Sequence, residues 1–168
     1  MHTTGTMSVT FQPIGIIHSA HRAAEETPIQ PVYARGAEGR AELLPEFAAG
    51  LRDLDGFSHV YLIYWLHEAG APRLLVKPFL DDVERGVFAT RAPCRPNPIG
   101  LSIVKLLRCE KNVVHVRDID VLDQTPLLDI KPYVPRFDHR DPVKCGWIDR
   151  VDDQTAHARG HRAAPPKI

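Results

Sequence analysis

A loop rich in proline and arginine is the first stretch whose residue types could do chemistry. Residues 88–102, FATRAPCRPNPIGLS, hold three prolines and two arginines. Each proline fixes its own φ and biases the residue before it toward an extended conformation, so the loop loses little entropy when a ligand orders it. Arg91 and Arg95 offer planar guanidinium groups suited to carboxylates or phosphates, and Gly100 allows a close backbone approach. The pattern predicts a preformed anion clamp; the alternative is a rigid strand connection whose arginines face water.

A second cluster, residues 117–135, carries several carboxylates. Asp118 and Asp120 lie two positions apart, which places both on one face if this segment is a strand. Asp123 follows in a turn, so three carboxylates are expected at one strand end. Such a group would hold a cation or a polar ligand, although an exposed turn with solvated acids explains the same pattern.

The next segment carries an acid and a base on one strand face. By the same alternation Leu127, Asp129 and Lys131 share a face, and Tyr133 continues it. An aspartate and a lysine then stand side by side in the sheet, as a site or as a cross-strand ion pair that contributes little.

Other reactive side chains give weaker indications. His67 and Glu68 end an aromatic strand, where they line a pocket mouth or form a hydrogen-bonded rim. Cys94 is a conceivable nucleophile because nearby arginines favour a thiolate, but no base adjoins it in sequence. The Asp, His and Cys residues of 135–147 match no zinc spacing, so no metal is predicted. Motifs of serine hydrolases, P-loop proteins and dinucleotide-binding folds are absent from the sequence.

Composition describes the protein that must position these groups. The 168 residues suit one domain, and 21 basic residues balance 21 acidic ones, so any anion site must be local. Three separated cysteines and the lack of a signal-like N-terminus predict a reduced, cytoplasmic protein. The apolar run 60–66 is too short to cross a bilayer, and no membrane partner is expected. We expect a disordered N-terminus at 1–7, one domain at 8–151, and a frayed C-terminal tail at 152–168.

Short apolar runs dominate the elements in between. A single helix is predicted at 45–54, with Pro45 at its start and Gly56 just past its end. Turns alone separate several of the runs, which favours antiparallel pairing and a closed or half-closed barrel. The expected fold is mainly β: one antiparallel-rich sheet, one or two short helices and an irregular C-terminal segment. The predicted strands are 9–17, 57–66, 74–79, 87–90, 101–107, 113–119 and 127–133.

Five motifs, in order along the chain, resemble the TsaA-like (YaeB, TrmO) family. They are PIGIIHS at 13–19, TPIQP at 27–31, GFSHVYLIYWLH at 56–67, GVFATRAPCRPNPIGLS at 86–102 and DVLDQTPLLDIKPYVP at 120–135. The resemblance covers residues 9–150. The proline and arginine loop and the LDIKPY segment are long and unusual, which makes them specific for this family.

The resemblance implies a β-barrel domain that binds S-adenosylmethionine outside a Rossmann fold, as a homodimer with the cofactor near the subunit interface. It implies N6-methylation of the threonylcarbamoyl-adenosine beside the anticodon of tRNA. Cofactor contacts are then expected from Pro31, Val32, Tyr33, His67, Glu68, Arg91, Leu101, Arg117, Asp118, Ile119 and Asp120. Substrate contacts are expected from Arg95, Asn97 and Lys131. Candidates for a base that takes the N6 proton are Asp120, Asp123 and Tyr133.

Three positions depart from the family pattern. Gln124 stands in place of a turn glycine, Ile29 in place of an arginine, and Cys94 in place of an aromatic residue. The chain is also shorter than the tRNA enzymes of the family, which carry a further C-terminal domain. A non-catalytic module that binds S-adenosylmethionine and a Cys94-dependent hydrolase are the alternative functions.

Overall fold

The chain forms a closed β-barrel, as seen in a computed structural model that describes residues 8–160. Six strands build it in the order β1-β2-β7-β6-β3-β8, and every neighbouring pair is antiparallel. The predicted fold class is therefore confirmed. The barrel strands are β1 (Gly15–His18), β2 (Glu38–Leu43), β3 (His59–Trp65), β6 (Ile99–Glu110), β7 (Val113–Arg117) and β8 (Thr125–Pro132). A separate ribbon pairs β4 (Leu75–Val76) with β5 (Arg85–Gly86).

The core fills the inside of the barrel because each strand alternates inward and outward side chains. In β3 and β6 the inward positions are fully or almost fully buried. They pair across the two strands in register, for example Val60 with Val104 and Leu62 with Ser102. Burial of this apolar face is the main term that stabilises the barrel.

A bulge in β8 changes the alternation that the sequence predicts there. The register against β3 shifts between Ile63 and Tyr64, so that Tyr64 pairs with Leu127 and Ile63 with Asp129. Leu127 is fully buried, whereas Asp129 and Lys131 form an ion pair of 2.7 Å on the outer face. The predicted neighbourhood of the acid and the base is confirmed. The placement of Leu127 on their face is wrong, because the bulge inserts one residue.

Three other strand predictions differ from the structure and one strand was missed. Of the predicted strand 74–79 only Leu75–Val76 is strand. Residues 87–89 form a 3-10 helix rather than a strand, and in the segment 9–17 only the residues from Gly15 onward are strand. The strand β2 was missed because EGRAEL is rich in residues with weak β-propensity. Its inward Ala41 and Leu43 nevertheless belong to the core, so packing decides the conformation of this segment.

The helices also differ from the prediction. Residues 45–51 and 54–56 form two 3-10 helices instead of one α-helix, separated where Asp53 adopts a positive φ of 66°. The α-helices are α1 (Pro135–Asp138) and α2 (Asp153–Arg159). The second lies in the segment expected to be frayed, and the Asp152 side chain caps it by accepting from the Thr155 amide. Further 3-10 helices are Ala24–Glu26, Pro31–Tyr33, Val87–Ala89 and Gly146–Arg150.

Some expectations fall outside this description. The predicted disorder of 1–7 and the end of the C-terminal tail, 161–168, lie outside the described residues. Within 8–160, no helix has both the length and the apolar character that a membrane crossing requires.

Candidate functional site

A cavity of about 400 Å³ opens where the ends of β3 and β6 meet the irregular segments of the chain. Leu66, Leu101 and Leu122 supply apolar walls. Its volume lies in the range of small-molecule sites, and its mixed lining is typical of them. The hydrogen-bonding side chains that line it include Gln30, His67, Glu68, Arg91, Arg95 and Asn97.

The floor of this cavity carries a buried carboxylate. Asp120 is only 7% exposed and lines the cavity together with Tyr64. Ser102, which is fully buried on β6, donates a hydrogen bond of 2.6 Å from Oγ to Oδ1 of Asp120. Tyr64 on β3 lies next, with its hydroxyl 2.9 Å from Oγ of Ser102. Two barrel strands therefore hold one acidic group at the bottom of the cavity.

Gly100 makes room for this arrangement. A Cβ atom at this position would lie 2.1 Å from Cε2 of Tyr64, far inside van der Waals contact. The sequence indicates that Gly100 allows a close approach to the backbone, and in the structure the tyrosine ring of the neighbouring strand makes such an approach. Glycine here lets the ring approach the β6 backbone closely.

The proline and arginine loop forms one wall and is bonded internally. Arg95 donates from Nη1 to the backbone oxygens of Thr90 and Ala92, at 3.1 and 3.4 Å. Arg91 is exposed and donates to Oε1 of Gln30 across the cavity mouth. The two arginines therefore differ in their partners: Arg95 stabilises the loop, and Arg91 joins the loop to the opposite wall. The sequence assigns Arg91 to the cofactor and Arg95 to the substrate. Both arginines line the same cavity, so the structure shows no separate cavity for each ligand.

The segment around Gln30 is in turn held by α2. The amide of Ile29 donates to the carbonyl of Gly160 at 3.0 Å. The ring of Tyr33 packs on Gly160, where a Cβ atom would lie 2.5 Å from the ring, and stands edge-on to His157. Tyr33, predicted to contact the cofactor, thus anchors α2, and its neighbours Pro31 and Val32 do not line the cavity.

A second cavity, of about 390 Å³, lies between β1, β2 and the turn before β8, and Asp123 belongs to it. This carboxylate accepts from the Ser19 amide at 3.0 Å and pairs with Arg22. Burial acts to raise the pKa of Asp123, but the bonds from Ser19 and Gln124 and the charge of Arg22 together hold it below its usual value. Asp123 is therefore a structural carboxylate with its own partners.

The turn explains one departure from the family pattern. Gln124 has a φ of 65°, the left-handed region that favours glycine. Its amide bonds to Oδ2 of Asp123 at 3.3 Å and contacts Nδ1 of His18 at 3.1 Å. Two side-chain bonds thus accompany a backbone conformation that glycine adopts more easily.

The three predicted carboxylates do not share one site. The strand β7 ends at Arg117, and Asp118 turns away with a φ of 66° to accept from the Gly36 amide. The prediction that Asp118 and Asp120 share a strand face is wrong, because the alternation ends before Asp118. Arg117 pairs with Glu38 at 3.0 Å, and Ile119 is fully buried in the core.

Two further predicted residues lie on the outer face of the barrel. Tyr133 packs edge-on against Tyr61, with ring centroids 5.8 Å apart, and Lys131 pairs with Asp129. Burial and the carboxylate of Asp138 raise the pKa of Tyr61. Neither Lys131 nor Tyr133 lines the 400 Å³ cavity.

The cavity therefore gathers seven of the predicted site residues. These are His67, Glu68, Arg91, Arg95, Asn97, Leu101 and Asp120. Sequence reasoning missed Tyr64, Ser102 and Gln30. Two polar residues on the inward face of otherwise apolar strands, Tyr64 and Ser102, were the available signal for the first two. Gln30 gave no signal of its own, since its role depends on contact with Arg91.

The structure gives no support for two chemistries considered from the sequence, a Cys94 nucleophile and metal ligation. Cys94 is half-buried and does not line either cavity. Over residues 8–160 no three histidine, cysteine or acidic side chains converge as metal ligands would.

Comparisons with known proteins agree with the architecture. Residues 16–139 match the family model of the tRNA-methyltransferase O N-terminal domain. A probable S-adenosyl-L-methionine-binding protein of Pyrococcus abyssi is 50% identical over 153 residues, covering 91% of this chain and 83% of that protein. The tRNA (adenine(37)-N6)-methyltransferase of Escherichia coli is 37% identical over 138 residues, covering 76% of this chain and 59% of the enzyme.

Solved structures give the same result. The crystal structure of TrmO from Pseudomonas aeruginosa superposes with a TM-score of 0.71 at 40% sequence identity, covering 84% of this chain. This chain spans 63% of that TrmO chain. The matched family model covers most of the barrel and the cavity-forming loops, and the chain belongs to the tRNA-methyltransferase O N-terminal domain family.

Proposed function

We propose that this protein is an S-adenosylmethionine-dependent methyltransferase that modifies tRNA. The observation that carries the proposal is the 400 Å³ cavity, which combines the buried Asp120 carboxylate, apolar walls and the guanidinium of Arg91 at its mouth. The family membership and the relatives that bear the name of S-adenosyl-L-methionine-binding proteins support the same cofactor.

The residues of the cavity fit this cofactor chemically. S-adenosylmethionine carries a carboxylate, an ammonium group, ribose hydroxyls, an adenine ring and a sulfonium. Arg91 suits the carboxylate, Asp120 suits a hydroxyl or ammonium donor, and the leucine walls suit the adenine ring. A buried carboxylate next to an apolar wall also suits the positive charge of a sulfonium group.

The residues of this chain act by binding and alignment. The cofactor supplies an electrophilic methyl group, and transfer is an in-line displacement that needs no covalent enzyme intermediate. The prolines and the hydrogen bonds of Arg95 preorganise the loop that forms one wall of the cavity. A preorganised wall aligns the two reactants, and alignment accounts for much of the reduction of the activation barrier. Of the three predicted proton acceptors only Asp120 lines this cavity, where we assign it to binding the cofactor, so none of the three is assigned the N6 proton in the proposed reaction.

The proposed substrate is the adenosine next to the anticodon of tRNA that carries a threonylcarbamoyl group, methylated at N6, in the cytoplasm. The Escherichia coli relative is named a tRNA (adenine(37)-N6)-methyltransferase, which supports this assignment. Arg95 and Asn97 line the same cavity and supply hydrogen-bond donors suited to a nucleoside substrate.

Labelled cofactor tests this function. Purified protein is incubated with S-adenosylmethionine labelled in the methyl group and with total tRNA, and in parallel with tRNA that lacks the threonylcarbamoyl group. We expect label in one modified adenosine of the first sample only, and none with the Asp120→Ala variant. Cofactor binding without any transfer to tRNA would contradict the proposed enzyme.

We also propose a homodimer, formed through the outer face of β3 and β6. Three cross-strand pairs there point outward: Tyr61 with Ile103, Ile63 with Leu101, and Trp65 with Ile99. Trp65, Ile99, Leu101 and Ile103 are 46%, 42%, 43% and 37% exposed. Because Ile99 and Leu101 also line the cavity, a second copy of this chain on this face would reach the cavity rim.

Sedimentation equilibrium tests the dimer. The wild-type protein is expected as a dimer and the Ile103→Arg variant as a monomer, because a charge replaces an apolar contact. The Glu46→Arg variant, which changes an exposed charge outside the outer face of β3 and β6, is the control. A wild-type monomer that binds cofactor would contradict this arrangement.

A further inference from the structure

Three polar side chains form a continuous hydrogen-bond chain inside the barrel. Tyr64 is 6% exposed, Ser102 is fully buried, and Asp120 is 7% exposed. The bonds join Tyr64 Oη to Ser102 Oγ at 2.9 Å and Ser102 Oγ to Asp120 Oδ1 at 2.6 Å. Burying polar side chains in a barrel core costs desolvation free energy, which apolar side chains at the same positions would not cost. The buried polar chain is therefore expected to have a functional role.

The direction of the chain follows from its chemistry. A serine hydroxyl has one proton, and Ser102 donates it to the carboxylate. Its oxygen is then the acceptor for the proton of the Tyr64 hydroxyl. Successive hydrogen bonds of one direction polarise each other, so the Tyr64 bond strengthens the bond from Ser102 to Asp120.

The position of the ring is also fixed. The ring of Tyr64 packs on Gly100, at a distance that no side chain at position 100 would permit. Both Tyr64 and Asp120 line the cavity, whereas Ser102 lies behind them in the core. The Asp120 carboxylate, which faces the cavity, is thus supported through Ser102 on β6 by Tyr64 on β3.

We propose that Tyr64 and Ser102 are positioning residues that hold the Asp120 carboxylate in one orientation, in which it accepts a hydrogen bond from a hydroxyl or ammonium group of S-adenosylmethionine. This inference rests on the proposed function. It assigns a role to two residues of the barrel interior, and it places the specificity for the cofactor in the barrel as well as in the loop.

Calorimetry with S-adenosylhomocysteine tests the inference without turnover. We expect Ser102→Ala to lower the affinity about fivefold or more, since one hydrogen bond to a charged group is lost. Tyr64→Phe keeps the ring on Gly100 and is expected to lower the affinity by a smaller factor. The matched control is Ser58→Ala, which removes an exposed hydroxyl just before the same strand. Thermal denaturation shows which variants are folded. If Ser102→Ala does not fold, the affinity of Tyr64→Phe tests the inference.

A double-mutant cycle separates positioning from a general effect on the fold. In the Asp120→Ala background nothing is left to position, so Ser102→Ala is expected to cause no further loss of affinity. In methyl transfer, KM for the cofactor rises in both single variants while kcat stays within about twofold.

The outcomes are distinct. Folded single variants that bind like the wild type, an equal loss in the Asp120→Ala background, or a fall in kcat at constant KM would overturn the positioning role alone. A wild-type protein that does not bind S-adenosylhomocysteine would overturn the proposed function and this inference with it.

Discussion

Two cavities of nearly equal volume flank the segment 120–123, and each receives one of its aspartates. In the first, Asp120 accepts from a neutral hydroxyl of the core and leucines line the walls. In the second, Asp123 is bonded by a backbone amide, a glutamine and the guanidinium of Arg22, and the lining is polar.

The difference shows what distinguishes the cavity that we propose as the binding site from a polar cluster whose charges are paired within the protein. In the second cavity a cation and two donors of the protein itself already compensate the carboxylate, and a ligand would have to displace them. In the first, apolar walls offer a ligand the gain of burying its own surface. The two cavities have similar volumes and each contains a buried aspartate. They differ in the polarity of their walls and in the partners of the aspartate.

The largest effect is expected at the floor of the first cavity. Gly100→Val would force the side chain into the Tyr64 ring, and we expect the free energy of unfolding to fall by about 3 kcal/mol. Urea denaturation measures this, and Gly50→Ala, where nothing lies within 4 Å, is the control. Unchanged stability would show that the Tyr64 ring can move away from position 100, so that Gly100 does not fix the floor of the first cavity.

The next effect concerns the mouth of the same cavity. Arg91→Ala is expected to weaken S-adenosylhomocysteine binding by about 2 kcal/mol, because a charge-assisted hydrogen bond is lost, and to leave stability unchanged. Calorimetry checks this against Arg52→Ala, an exposed arginine remote from the loop in sequence. Equal affinity of the two variants would remove Arg91 from the site.

The second cavity is expected to respond in stability instead. The lowered pKa of Asp123 means that its stabilising contribution is present above the pKa of the unfolded chain, near 4, and is lost as pH falls through the folded pKa. Asp123→Asn should lower the free energy of unfolding by about 1.5 kcal/mol at pH 7 and reduce its acid dependence.

Urea denaturation at pH 7 and pH 3 measures this effect, with the exposed Glu46→Gln as control. The affinity for S-adenosylhomocysteine should stay within about twofold of wild type, since Asp123 does not line the first cavity. A large loss of affinity in Asp123→Asn would show that the second cavity contributes to binding, contrary to the distinction drawn between the two cavities.

The smallest effect is expected in the turn itself. Gln124→Gly relieves a positive φ that costs about 1 kcal/mol and removes bonds to Asp123 and His18 of similar worth. The net change in stability is therefore expected within about 1 kcal/mol. A loss well beyond that would show that the side-chain bonds of Gln124 dominate the second cavity.

The sequence by itself determined the class of fold and the main wall of the site. Alternating apolar runs joined by turns predict antiparallel strands, because each strand must bury one face. The prolines and arginines of 88–102 predict a stiff, cationic loop for the same local reason, since φ restriction and guanidinium chemistry belong to the residues themselves.

Only the tertiary structure decided which side chains meet. Asp118 and Asp120 look equivalent in the sequence, but a positive φ sends one to the Gly36 amide, and the other meets Ser102 from a different strand. The strand β2 and the helix α2 form from segments with little signal of their own, because neighbours pair with them and cover them. Contacts between residues distant in sequence depend on barrel closure and register, and no local pattern contains that information.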